Sequence, residues 1–557
     1  NRNSNSIVDR VWQRIDQSTL TFVVIALVLR CINSVLIITY FDPDEYWQSL
    51  EVAHHSVFGY GYLTWEWDVK IRSFMHPSIY AALFHLLKLL NIDTPYLVYI
   101  TPKLLSGVAV AVCDVYLYKL ANSMFGQQVA KWTLICHYMS WYTFVCLVRS
   151  YSNSIETILF VISLYYWPLP GKNYRVFNNI QITVIITTIA FMIRPTTALM
   201  WLYLVPLYML TSIRSMKQLV QFLFRDVLLA ASITLAMVIV VDYCFYKEIT
   251  LVPYNFLYYN IVRNFSALYG THPFHWYFTN ALPVVAFTLL PLVILGCQRL
   301  YTVQQRGGGG GANRLHLVGV TLVTVTLYSC LAHKEFRFIF PIVPLMMIYA
   351  GYYISTSVDQ QPITTIVANT GTAAPAKTRG IKNHKAILLL LLLNIPMAMF
   401  FAHFHQRSPI DVMHYIREEI SPNHQTNSTS ASIHFIMSCH ATPYQSYVHN
   451  PHLSLKILEC PPPLNEEDGM NERDLFSDNP QRYFIGTYIS SDGDNAKSLF
   501  KHHALPEYFV LRHDYIPVFE EVTQVSSHYQ HIATLTNGLD ITSTSVYQRL
   551  RTDTPSR

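Results

Sequence analysis

Apolar residues in this chain come in blocks long enough to cross a lipid bilayer, and that spacing restricts the fold more than any motif does. A helix needs about 20 residues to span the hydrocarbon core. Blocks of that order lie at 21–40, 98–120, 130–148, 155–170, 178–193, 197–212, 228–246, 280–297, 315–331, 338–355 and 386–404. A shorter one, 76–92, is interrupted by His85 and Lys88. Of the 557 residues, 52% are hydrophobic and only 13% charged, against about 25% charge in average globular chains. The expected class is therefore a polytopic α-helical membrane protein. The net charge of +5 comes without a concentrated basic domain or nucleic-acid motif, so nucleic acid is not an expected partner. The first block is longer than a signal-peptide core and lacks a small-residue cleavage site, and it reads as a retained anchor. The sequence starts with Asn, and a few leading residues are expected before it.

Basic loops give the expected sidedness. Residues 171–176 (GKNYRV), 214–225, 298–314 and 377–385 are rich in Lys and Arg, and the positive-inside rule puts them in the cytosol. RSYSNS (149–154), RPTT (194–197), 247–279, HKEFR (333–337) and everything after 404 then fall on the opposite face. The loop after the first span shares that face only if 76–92 does not cross, which suits an interfacial or re-entrant segment. The count is then eleven spans, with the N-terminus (1–20) cytosolic, a membrane domain over 21–404 carrying the lumenal loop 41–75, and a lumenal C-terminal domain over 405–557. No internal repeat supports a transporter built from duplicated halves. Gly307–Gly311 and Val358–Thr378 read as flexible linkers.

The polar tail, with strand-like runs at 483–489, 507–513 and 515–522, is expected to form a small α/β or mostly β domain. Seven of nine cysteines lie in or beside apolar blocks, leaving Cys439 and Cys460 in the tail. An even pair in an oxidising compartment suggests a disulfide. Asn427 and Asn264 begin glycosylation sequons on the same face. No cysteine spacing resembles a zinc site.

Chemistry-bearing residues gather at the same ends of several spans. The loop from Phe41 to Trp67 holds Asp42, Asp44, Glu45, Glu51 and Glu66 beside Trp47, Gln48, Trp65 and Trp67. Acids there suit a general base, and aromatic faces suit sugar rings. An interfacial belt of Trp and Tyr with solvated acids is an equal reading of the composition. Arg149, Arg194 and the cluster His333, Lys334 and Arg337 offer cations that could neutralise a phosphate, although such charges also snorkel and pair with each other or with headgroups. His272, His275 and Trp276 complete the set.

The stretches PDEYWQSLEVAHHSVFGYGYLTWEW, RSYSNSIET, RPTT, YGTHPFHWYFTNALP and HKEFRFIFPIVPL, in this order, resemble glycosyltransferase family 22. The resemblance runs from about residue 20 to 405. It implies a GT-C type fold in the endoplasmic reticulum membrane and mannose transfer from dolichyl phosphate mannose. The wording of the first loop, and SCHATPYQSYVH followed by Cys460-Pro-Pro, is similar to the branch acting on the GPI-anchor glycolipid precursor. That branch adds the third mannose, in α-1,2 linkage. The resemblance implies a base in the acidic pair Asp44 and Glu45, with Asp44 preferred, and phosphate contacts from His333, Lys334 and Arg337, then Arg194 and Arg149. Trp47, Gln48, Trp65, Trp67, His272, His275 and Trp276 are the candidate sugar and acceptor contacts. Neither a metal nor a cofactor is expected. A family member acting on the dolichol-linked N-glycan precursor and a lipid transporter or scramblase are the competing readings. The latter would need charges within spans, and Arg30, Lys103 and Asp114 are the residues of that kind.

Overall fold

The computed structural model describes residues 19–170, 179–305, 312–358, 384–426, 430–464, 469–489, 503–536 and 543–550. The GKNYRV loop, the pentaglycine run, nearly all of the second expected linker and Asn427 lie outside them.

Eleven apolar blocks were expected to span, and each is helical in a particular way. Five helices are long and apolar enough to cross a membrane: Pro95–Phe125, Met216–Tyr246, Tyr277–Gln305, Phe336–Ser357 and Ile387–Asn423. Three are apolar but shorter: Leu20–Leu36, Ile180–Ile193 and His316–Ser329. The remaining three are broken or short. Block 130–148 is two helices, Gln127–Met139 and Trp141–Cys146, because the Ser140 hydroxyl accepts the Thr143 amide and starts a new helix. Arg194 precedes Pro195 and is extended (φ −140°), which ends Ile180–Ile193; after the turn Pro195–Thr197 the next helix, Ala198–Ser212, has 15 residues. Ser152–Tyr166 also has 15. The segment expected not to cross is the helix Met75–Leu89, again 15 residues.

Two compact units result. One comprises Asn1–Leu36, Lys70–His76 and Lys103–Met399; the other comprises Ile37–Val69, Pro77–Pro102 and Phe400–Arg557. This differs from a division at residue 404, since the first loop belongs to the same unit as the tail.

In the first unit, small residues let helices approach closely. A methyl added to Gly296 would lie 2.1 Å from the Tyr349 carbonyl oxygen, and one on Gly351 would lie 2.5 Å from the Thr133 amide. Helix Val343–Val358 therefore packs backbone-close against Leu290–Gln305 and Gln127–Met139. The in-span charges Arg30 and Asp114 are fully buried and paired through two bonds of 2.6 and 2.9 Å. Tyr138 donates to the same carboxylate at 2.7 Å, and its ring lies 4.2 Å from the guanidinium. Arg30 and Asp114 thus join their helices to one another.

The second unit carries a five-stranded sheet, ordered β2-β1-β3-β5-β4. β1 (Ala431–Ile436), β2 (Leu453–Ile457) and β3 (Tyr508–Arg512) are parallel. β5 (Thr544–Arg549) runs antiparallel to β3 and to β4 (Tyr529–Leu535). Run 507–513 is thus a strand, but two expected strands are helices. Asn479 caps Pro480–Tyr488 by accepting the Arg482 amide, with Pro480 at the favoured first position. Tyr483, Phe484, Thr487 and Tyr488 are its buried residues, a helical spacing. Ile516–Glu521 likewise begins with a proline at its start. Both helices pack on β3 through Phe484, Tyr488, Phe509 and Phe519. A disulfide joins Cys439 to Cys460, their Cα atoms 6.3 Å apart.

Candidate active site

The first loop folds as a helix N-terminus. Asp42 accepts the Asp44 amide on its carboxylate at 3.0 Å, and the Tyr46 and Trp47 amides reach the Pro43 carbonyl at 3.1 and 3.0 Å. Asp44 and Glu45 open the helix that continues as the wide turn Tyr46–Leu50 and then Glu51–Phe58. Asp44 is partly exposed, whereas Glu45 is buried. Adjacent helical residues diverge by about 100°, so the two carboxylates serve different directions.

Glu51, another acid of this loop, meets partners in the tail that no local pattern links to it. Its carboxylate is buried, accepting the Ser446 hydroxyl at 2.6 Å, the Tyr444 amide at 2.8 Å and the Ser446 amide at 3.0 Å. Burial pushes this carboxyl up to about 7 against the opposing pull of those donors. The tail motif around Tyr444 thus forms a wall of the unit that holds the acidic loop. The two also meet at Trp47, whose indole N–H donates to the Thr442 carbonyl at 3.0 Å, and at Tyr40, whose hydroxyl donates to the His440 carbonyl. His54 Nε2 and His449 Nδ1 lie 2.9 Å apart. Burial, reinforced at His54 by His449, holds both imidazoles below their ordinary value.

The loop tryptophans expected as sugar platforms are packed within this unit. Trp47, Trp65 and Trp67 are all buried, and Trp47 packs its rings on Tyr62, His440 and Tyr444. Trp67 donates its indole N–H to the Trp47 carbonyl at 3.3 Å. Gln48 donates to Glu66 at 3.2 Å.

The other four clusters assemble within the first unit. Arg194 pairs with the fully buried Glu156 at 3.1 Å and donates to the Ser152 hydroxyl at 2.9 Å, while Thr197 donates to Glu156 at 2.7 Å. The Asn153 side chain donates to the Arg337 carbonyl at 3.1 Å, which ties RSYSNS to HKEFR. Glu335 is the hub of the latter, 2.8 Å from His333 Nε2 and 2.5 Å from Arg337 Nε. Burial would raise the Glu335 carboxyl, but the Arg337 charge and the His333 contact outweigh it and hold it near 2. The imidazole of His333, disfavoured as a cation by burial, is nevertheless raised above its ordinary value by Glu335 and the Gly270 carbonyl. The Lys334 ammonium sits on the carbonyls of His272 (2.8 Å) and Leu331. Trp276 is buried and stacks on His272 with centroids 4.6 Å apart, whereas His275 is exposed and bonds Thr279 at 3.1 Å. Arg149 is buried, its Nε donating to the Val145 carbonyl at 3.0 Å. Among the described residues no cluster of His, Cys, Asp and Glu has the makings of a metal site. Of the sequons, Asn264 is described and exposed.

Comparison with known proteins gives this arrangement a family. The profile of the Alg9-like mannosyltransferase family matches residues 21–449. Mannosyltransferase APTG1 of Arabidopsis thaliana is 36% identical over 467 residues, covering 82% of this chain and 79% of that protein. GPI alpha-1,2-mannosyltransferase 3 of Homo sapiens is 35% identical over 516 residues, covering 88% and 85%. Among solved structures, ArnT from Cupriavidus metallidurans, bound to undecaprenyl phosphate, aligns at a TM-score of 0.53 over 97% of this chain and 99% of that one, at 12% identity. The Archaeoglobus fulgidus oligosaccharyltransferase aligns at 0.50 over 96% and 74%, also at 12%. Likeness at this identity concerns the fold, that of a polytopic helical membrane protein. Matched by the profile over most of its length and by curated relatives at this identity, the chain belongs to the Alg9-like mannosyltransferase family.

Proposed function

We propose that this chain transfers mannose from dolichyl phosphate mannose to the second mannose of a GPI-anchor precursor, forming an α-1,2 linkage at the lumenal face of the endoplasmic reticulum membrane. The observation carrying this reading is the agreement of plant and animal relatives over most of both lengths, several of them named as GPI alpha-1,2-mannosyltransferase 3.

The donor is β-linked and the product α-linked, so the reaction inverts C1. Inversion is a single in-line displacement, which needs one base and help for the departing phosphate rather than two close carboxylates. Asp44, at a helix start and partly exposed, takes the proton of the acceptor hydroxyl; Glu45, buried beside it, is the second candidate. The charge left on the phosphate is met by protonated His333 and by Arg337 and Lys334, with Arg194 and Arg149 as further cations. Glu335 keeps His333 charged until the phosphate competes for it. A single phosphate can be neutralised by side chains, so the proposal includes no resident cofactor.

The test is expression in cells lacking their own enzyme for the third GPI mannose. The expected result is restored surface GPI-anchored protein, with microsomes extending the two-mannose precursor by one residue. Transfer confined to the dolichol-linked N-glycan precursor would overturn the acceptor assignment.

A further inference from the structure

The segment after the helix Met216–Tyr246 is built inside out for a loop in water. Val252–Leu257 is helical and continues through the wide turn Tyr258–Val262. Tyr254, Leu257, Tyr258, Ile261 and Val262 are exposed, Ile261 at 62% and Val262 at 72%. Their spacing of three, four, seven and eight residues makes one continuous stripe. Part-buried polar groups lie off the stripe. The Asn255 side chain donates to the Lys70 carbonyl at 3.2 Å, and that of Asn260 turns back to the Phe256 carbonyl at 3.0 Å. Val252 and Pro253 are buried beneath them. Scattered exposed apolar residues are ordinary, but a contiguous apolar stripe marks an interaction surface.

We propose that 252–269 is an in-plane interfacial helix and turn whose stripe sits in the acyl region of the phospholipid leaflet. Eleven helical residues reach about 16 Å, half of a hydrocarbon core, so this element lies along the membrane rather than across it. The stripe continues a face already apolar and outward, since Met237, Val240 and Tyr243 of the preceding candidate span are exposed. Exposed Lys247 and Arg263 flank the helix where headgroups would meet them. Leu268 and Tyr269 extend the exposed apolar surface beyond it. A consequence concerns Asn264, which lies inside this run. A glycan must remain in water, so the Asn264 sequon stays unoccupied. None of this depends on which sugar acceptor the enzyme uses.

The full-length protein in phosphatidylcholine vesicles doped with a diazirine phosphatidylcholine provides the test, with hydroxyl-radical oxidation in parallel. Lipid adducts on Tyr254, Leu257, Ile261 and Val262 should exceed those on Asn255 and Tyr259 by roughly tenfold, as an embedded face requires. Peptide mass spectrometry of the protein from microsomes should find Asn264 bare. Oxidation of the stripe as fast as exposed tail positions would overturn the proposal. So would protection from both probes, which would put a protein partner there, and so would a glycan on Asn264.

Discussion

Replacing Glu51 tests whether the tail holds the acidic loop. The carboxylate is 2% exposed and accepts three hydrogen bonds from Tyr444 and Ser446. Glu51→Ala leaves two backbone amides without their acceptor, and a buried unsatisfied donor costs about 1–3 kcal/mol. Against that, the rise of the carboxyl from 4.5 to about 7 means burial outweighs the donors, by about 3 kcal/mol at about 1.4 kcal/mol per unit. Two such donors cost about 4 kcal/mol, which is the loss expected in Glu51→Ala below pH 4.5. Above pH 7 the strain disappears with the charge, and the net loss should be about 1 kcal/mol, or roughly 2–4 °C for a unit of this size. Glu51→Gln keeps an acceptor but presents an amide donor to one of the three, so it should lose about 1 kcal/mol below pH 4.5 and, free of the charge strain, be about 2 kcal/mol more stable than the wild type above pH 7. The pH dependence separates these effects. A raised folded-state value means that Glu51 contributes stability fully below its unfolded value of 4.5, and that this contribution is lost as pH rises through about 7. The thermal midpoint of the wild type should therefore fall across this window, and that of Glu51→Gln should fall less. Midpoints would be read by tryptophan fluorescence on the full-length protein in detergent. Equal slopes in the two proteins, or an unaltered midpoint in Glu51→Ala, would refute the reasoning.

Three further outcomes are expected. Asp44→Asn should abolish mannose transfer in microsomes while leaving the protein's abundance unchanged; full activity would remove Asp44 as the base. Because His333 is raised above its ordinary value by Glu335, its positive charge should be lost as pH rises through that raised value. The KM for donor should accordingly climb on the alkaline side, and this climb should be absent in His333→Gln. Asp114→Ala strands a buried guanidinium and should cost about 3–5 kcal/mol, seen as loss of folded protein on size exclusion, whereas replacing Arg30 and Asp114 together by leucine should recover most of it.

The aromatic-rich tail shows where sequence patterns mislead. YFIGTYI reads as a strand because Tyr, Phe and Ile favour strands, yet Asn479 and Pro480 ahead of it are helix-start signals that outweigh propensity. The glutamates of the cationic clusters were legible as neighbours but not as partners. Glu335 stands between two of its cations in HKEFR, while Glu156 meets Arg194 only once two helices have packed. Burial of the first-loop tryptophans was not legible either, since an aromatic run gives no sign of which rings will be covered.

The amino-acid sequence by itself determined the membrane class, through apolar blocks of bilayer length, and the cationic loops, through motifs confined to short stretches. Periodicity and local composition carry such information because neighbouring residues share one helix or turn. Tertiary structure alone decided that the acidic loop and the tail are a single unit. Glu51 and Ser446 are 395 positions apart, and no local pattern encodes a hydrogen bond that forms only after the chain between them has folded. Burial then gives that carboxylate its character, because desolvation depends on every surrounding atom rather than on its neighbours in the chain.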